Sequence, residues 1–150
     1  MPWTDITLRL CAAAVIGIAL GLNRYLHHKS IGVRTLGLVS VTSAALVCAS
    51  VDMASPDAAT RVIQGLVTGI GFIGAGLIMH QPGQMAVHGL TTATTVWVAA
   101  AVGILCGLGA WIVAVPATVI MLALLTFGGR FEKAVAKRFR PPDSPPHCDE

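Results

Sequence analysis

Arg61, Gln64 and Thr68 stand at i, i+3 and i+7 at the head of the stretch RVIQGLVTGIGFIGAGLIM, a spacing that puts all three on one helical face. A guanidinium, an amide and a hydroxyl in line offer hydrogen bonds to an anion, a solute or a neighbouring helix, but no general base. Asp57 lies one turn upstream. Two readings of this group stand side by side. In the first, Arg61 anchors the helix at a membrane boundary beside Asp57, because an Arg at the membrane centre costs about 2.5–3.5 kcal/mol or more. Gln64 then makes one interhelical hydrogen bond. In the second, the three residues line a polar pocket shared with the second segment and the start of the fourth.

A second polar zone combines Asn23, Arg24, Arg34 and Thr35 with Thr91, Thr92, Thr94 and Thr95, followed by Trp97. Taken singly these are helix caps or interface anchors, and Thr91 and Thr92 suit an N-terminal cap. Taken together they are candidates for the inner mouth of a cavity or a docking site. Nucleophilic catalysis finds no support, since the chain has no GxSxG, no HExxH and no pair of carboxylates within its apolar stretches. The missing intramembrane acids also count against ion coupling. Gly69–Gly74 spells GxGxxG, yet it lies inside an apolar helix, with no strand before it and no acid until Glu132, so it is not a dinucleotide fingerprint. His27, His28, His80, His88 and His147 fall in loops or the tail, and Cys11, Cys48, Cys106 and Cys148 form no CxxC. No metal site, cofactor, enzymatic activity or nucleic-acid partner is expected.

The elements that must position these residues are membrane helices. Of 150 residues 55% are hydrophobic and 11% charged, against about 25% charged in soluble domains. The sixty-eight residues from Val62 to Gly129 contain no Asp, Glu, Lys or Arg. A crossing takes about 20 residues, so this tract holds three crossings with their connections. The pattern predicts an all-α polytopic bundle over residues 1–129, with helices at about 4–22, 35–51, 62–79, 88–108 and 111–127. Arg9 sits in the first turns of the first helix, where it can snorkel to the interface. Residues 130–140, basic and amphipathic, are expected to lie on a leaflet; 141–150, proline-rich, are expected to be disordered. The N-terminus lacks a secretory pattern, because Asp5 occupies the region that should be basic.

Five glycines, Gly65, Gly69, Gly71, Gly74 and Gly76, fall within twelve positions of the third helix. Glycine lets membrane helices approach backbone to backbone, so this helix is expected at the centre of the bundle. Gly17/Gly21 and Gly103/Gly107 repeat the GxxxG spacing and, with Gly65/Gly69, are candidate exposed docking faces. Five crossings place Arg24, Lys29 and Arg34 on the same side as Arg130, Lys133, Lys137, Arg138 and Arg140, eight of the ten Lys and Arg. The positive-inside rule makes that side cytoplasmic, with the N-terminus out and the C-terminus in. A four-crossing alternative, with the first segment interfacial, would put the N-terminus inside.

The blocks GLNR (21–24), GVRTLGLVS (32–40), PDAATRVIQGLVTGIGFIGAGLIM (56–79) and VHGLTTATTVWVAAAVGILCGLG (87–109) are similar to those of the MgtC/SapB membrane domain, over about Leu8–Phe127. The resemblance implies a multi-helix domain of the bacterial inner membrane, tied to growth under magnesium limitation and survival inside host cells. It implies a regulator that binds other membrane proteins or itself, with a small transporter or channel for magnesium, another ion or a solute as the alternative. Asn23 stands where family members commonly carry an acid. Longer members also bear a soluble domain after the last helix, whereas this chain reads as the membrane domain alone.

Overall fold

The computed structural model describes residues 1–27, 31–51, 53, 55, 57–80 and 87–139. Expectations for the tail at 141–150, for Arg140, for Asp52 and for the turn at Pro82–Gly83 fall outside these residues. Five helices follow in order: α1 Trp3–Leu26, α2 Val33–Val51, α3 Ala58–Leu77, α4 Leu90–Leu108 and α5 Trp111–Phe139. All five contain stretches long and apolar enough to cross a membrane. Between α3 and α4 a two-residue antiparallel pair, β1 Met79–His80 and β2 Val87–His88, joins Met79 to His88 and His80 to Val87. The protein is an all-helical polytopic membrane protein.

The centre is α4, not α3. Eleven residues of α4 are buried, among them Ala93, Ala99, Ala100, Gly103 and Gly107; in α3 Ile70 alone is. α1 and α2 pack along each other and both lie against α4, with α3 on a further side and α5 more lightly attached. One core cluster gathers Leu20, Leu36, Ile70, Val96, Ala99 and Ala100, and a second gathers Ala13, Ala44, Val102 and Cys106. The physical reason is the small residues that α4 presents all round its surface. A Cβ on Gly103 would run into the Ser40 carbonyl oxygen, and one on Gly107 would stand 2.8 Å from both the Ala44 carbonyl oxygen and the Val47 Cβ. On α1, a Cβ at Gly17 would meet Gly37 and Leu36 backbone at 2.9 Å, and one at Gly21 would meet Val33 Cα at 2.5 Å. These two glycine pairs therefore seat helices inside the bundle and are not exposed docking faces.

Glycine also fixes both ends of α4. Gly89, at φ 88°, is the N-cap residue and no side chain caps the first turn, so the cap expected of Thr91 or Thr92 is not made; the Ala93 N–H opens the helical ladder by donating to the Gly89 carbonyl at 2.8 Å. Gly109, at φ 71°, closes the helix. Its N–H donates to Cys106 O at 2.9 Å and the Ala110 N–H to Leu105 O at 3.0 Å, the pair of bonds that defines a Schellman motif. The chain then turns directly into α5, which carries Pro116 internally and continues without interruption through residues 130–139.

Candidate functional site

At the end of the bundle where α1 finishes and α4 begins, two side-chain bonds tie helices together. Arg24, 4% exposed, donates from Nη2 to Thr92 Oγ1 at 2.7 Å. Its neighbour Asn23 donates from Nδ2 to Thr126 Oγ1 at 2.7 Å, and that hydroxyl donates in turn to the Leu122 carbonyl at 2.7 Å. The His27 ring Nδ1 lies 2.7 Å from the Asn23 carbonyl, so that nitrogen carries the proton. Adjacent residues on α1 thus hold α4 and α5. Taking an Arg out of water is costly unless its donors are satisfied; the Thr92 hydroxyl takes Nη2, while the buried Nε makes no hydrogen bond among the described residues. Arg34 and Thr35, in the first turn of α2, are exposed, as are Thr91 and Thr94. Thr94 and Thr95 return their hydroxyls to the Leu90 and Thr91 carbonyls.

The opposite end holds a clamp that sequence reasoning missed. Arg9 reaches back one turn to pair with Asp5 at 2.9 Å and donates from Nη1 to the Gly107 carbonyl at 2.7 Å. Cys48 Sγ lies 3.5 Å from the same carbonyl. That oxygen belongs to the last turn of α4, where unpaired carbonyls and the helix dipole favour a cation. The guanidinium packs so closely on Gly109 that a Cβ there would stand 2.7 Å from Arg9 Cζ. The Asp5/Arg9 spacing of i, i+4 was the available signal.

Asp57, Arg61, Gln64 and Thr68 are exposed, and among the described residues no ion pair joins Asp57 to Arg61. The Thr68 hydroxyl donates to the Gln64 carbonyl at 2.9 Å. The α3 residue level with the start of α4 is Gly74, whose added Cβ would sit 3.8 Å from Ala93 Cβ. Ten residues separate Gln64 from Gly74, about 15 Å of helix. Trp97 is 46% exposed on the outward side of α4.

At about 100° per residue, Ile70 and Leu77 mark the side of α3 that meets the core. Arg61, Thr68 and Phe72 lie opposite it, and Gly65, Gly69 and Gly76 run along one flank, about 80–140° round the helix from Ile70 and Leu77. A Cβ at Gly65, Gly69, Gly71 or Gly76 would meet nothing within 4 Å, and Phe72 is 84% exposed. The expected central packing of these glycines is thus not made within the chain. The cause is angular: the glycines lie away from the apolar side that α4 covers.

Among the described residues no three His, Cys, Asp or Glu side chains come together as metal ligands. Five apolar spans, tied together at both ends by arginine donors, define a multi-pass membrane protein. The chain belongs to the MgtC family, whose model matches residues 10–134. It is 42% identical over 115 residues to Protein MgtC of Salmonella typhimurium, covering 77% of this chain and 48% of that protein. It is 41% identical over 115 residues to Protein MgtC of Brucella abortus, with the same coverage. To Protein SrpB of Synechococcus elongatus it is 36% identical over 139 residues, covering 85% of this chain and 75% of that one. The chain thus spans about half the length of its MgtC relatives. No solved structure matches.

Proposed function

We propose that this chain is a non-enzymatic regulator of the bacterial inner membrane that works by lateral docking of a transmembrane helix, from another protein or from a second copy, onto the outward face of α3. The process it serves, by likeness to its family, is adaptation to low magnesium or to stress inside host cells. One observation carries the reading. Gly65, Gly69 and Gly76 line a face with no neighbour, although glycine costs a helix about 1 kcal/mol relative to alanine. In lipid that cost is offset where a second backbone comes close. Gln64 and Thr68, beside the same face, supply polar edges to such a contact. In this reading the end bearing Arg24 and Arg34 is cytoplasmic, and the basic residues of the last turns of α5 meet anionic headgroups.

The second reading is a conduit lined by Arg61, Gln64, Thr68 and the Thr91–Thr95 group. The test compares wild type with Gly69→Leu in native membranes, reading both recovery of co-purifying membrane proteins or dimer and growth in low magnesium. Docking predicts a folded variant that loses partner or dimer by at least tenfold. Full retention of both readouts would remove α3 as the docking face. Magnesium, potassium or proton flux in liposomes that Gln64→Leu abolishes would favour the conduit instead.

A further inference from the structure

A groove of about 450 Å³ runs between the end of α1 and the start of α2, lined by Leu22, Tyr25, Gly32, Val33, Arg34 and Thr35. Its composition is graded. Leu22, Val33 and Gly32 form an apolar wall, while Tyr25, Arg34 and Thr35 bring a phenol, a guanidinium and a hydroxyl to the rim. Leu22, Tyr25, Arg34 and Thr35 are all exposed. The groove also has a definite depth. Its residues are the last turns of one span and the first of the next, which places the groove at headgroup level, with Leu22, about one turn further in than Tyr25, nearest the acyl chains.

Charge selects the occupant. From Ile6 to Val51 the chain contains no Asp or Glu, so neither α1 beyond its first turn nor any of α2 opposes Arg34 with an acid. Arg24 adds a second cation at this end of α1. Among the described residues the acid that α5 carries is Glu132, six residues beyond Thr126, the partner of Asn23; along the helix that is about 9 Å further on. An exposed Arg that pairs with no carboxylate among the described residues, beside an apolar slot at headgroup depth, complements an anion with a hydrocarbon tail.

We propose that this groove binds one anionic phospholipid of the leaflet that holds the basic loops. One acyl chain would lie along Leu22 and Val33, with the headgroup phosphate on the Arg34 guanidinium, a planar fork suited to phosphate oxygens. Thr35 and Tyr25 would supply hydroxyl donors. This site is separate from the α3 face, and it stands whether or not that face docks a helix. It would make the α1–α2 end, which the Arg24–Thr92 bond ties to α4, responsive to the lipid composition of the leaflet.

The test uses the full chain in nanodiscs with photoactivatable phosphatidylglycerol carrying a diazirine in its acyl chain, the adducts being mapped by mass spectrometry. Labelling should concentrate on 22–25 and 32–35 and should be about fivefold weaker with the phosphatidylcholine analogue, the discrimination one Arg near an anionic surface provides. Arg34→Gln should reduce this labelling about fivefold while leaving labelling of 130–139 unchanged. Leu22→Trp, which fills the slot and leaves the charge, should reduce it as well. Equal labelling by the two lipids, or full labelling in Arg34→Gln, would overturn the proposal. So would competition by inorganic phosphate at the concentration of the lipid, since that would mean a site for the free anion.

Discussion

α3 and α4 are both glycine-bearing membrane helices of nearly equal length, and the fold treats them in opposite ways. Gly103 and Gly107 of α4 press against α2 so closely that a single added carbon would strike backbone. Gly65, Gly69 and Gly76 of α3 face open space. In α4 the absent side chains are what bring Ser40, Ala44 and Val47 into contact. In α3 they remove helix stability and return nothing within the chain. Glycine count therefore marks where backbone approach is possible, and only the angular relation to neighbouring helices shows whether the approach is made.

The largest effect should come from Gly103→Ala. Its methyl would be aimed at the Ser40 carbonyl, with Ser43 Cβ 2.9 Å away. A carbonyl in the middle of α2 cannot rotate out of the way, so α2 and α4 must separate along their length. Overpacking of this kind costs about 3 kcal/mol. Thermal unfolding of the purified protein in detergent should show a much lower midpoint than wild type. An unchanged midpoint would mean that α4 is not the centre of the bundle.

Thr92→Val comes next and asks whether α4 is held by polar contacts as well as by shape. Valine keeps the volume and removes the acceptor that Arg24 Nη2 uses at 2.7 Å. Leaving a buried donor without its partner costs roughly 1–3 kcal/mol. Thr94→Val is the matched control, because Thr94 is exposed and bonds only within its own helix. The contrast between the two variants in the same unfolding assay is the measurement. Equal effects would reduce the Arg24 clamp to a surface contact.

These contrasts also show where the sequence is informative. Five spans are legible because sixty-eight consecutive residues carry no charge and eight of ten basic residues fall into two loops or ends. Arg24 and Thr92 are legible as members of one polar zone, since both lie at the same membrane boundary. Their bond is not, because it joins positions sixty-eight residues apart, and helical period does not say which helices are neighbours. The Arg9 contact is hidden for a related reason. An arginine in the first turns of an apolar helix suits snorkelling, and only the arrival of the C-terminal turn of α4 beside it supplies the Gly107 carbonyl. The Thr91–Thr92 cap fails locally: Gly89, in a left-handed conformation, takes the N-cap position, which puts both threonines inside the first turn. The likeness between the two glycine helices misleads most. On α3 the glycines at 65, 69 and 76 lie on a flank, turned about 80–140° away from Ile70 and Leu77, an angular relation that the sequence contains but that a count of glycines does not reveal.

The smallest change in stability should come from Gly69→Ala, and its sign is the sharpest test of the comparison. The same methyl that unseats α2 at Gly103 meets nothing at Gly69. The remaining term is helix propensity, which favours alanine over glycine by about 1 kcal/mol in a helix interior. Purified protein in detergent, away from any partner, should therefore unfold at the same or a slightly higher temperature. In native membranes the expectation reverses, because a docked backbone at Gly69 would be pushed outward and partner recovery should fall. A rise in stability with no loss of partner would mean that nothing approaches this face closely, and a fall in stability in detergent would mean that α3 packs through its glycines after all. Opposite signs in the two settings are what an open docking face requires.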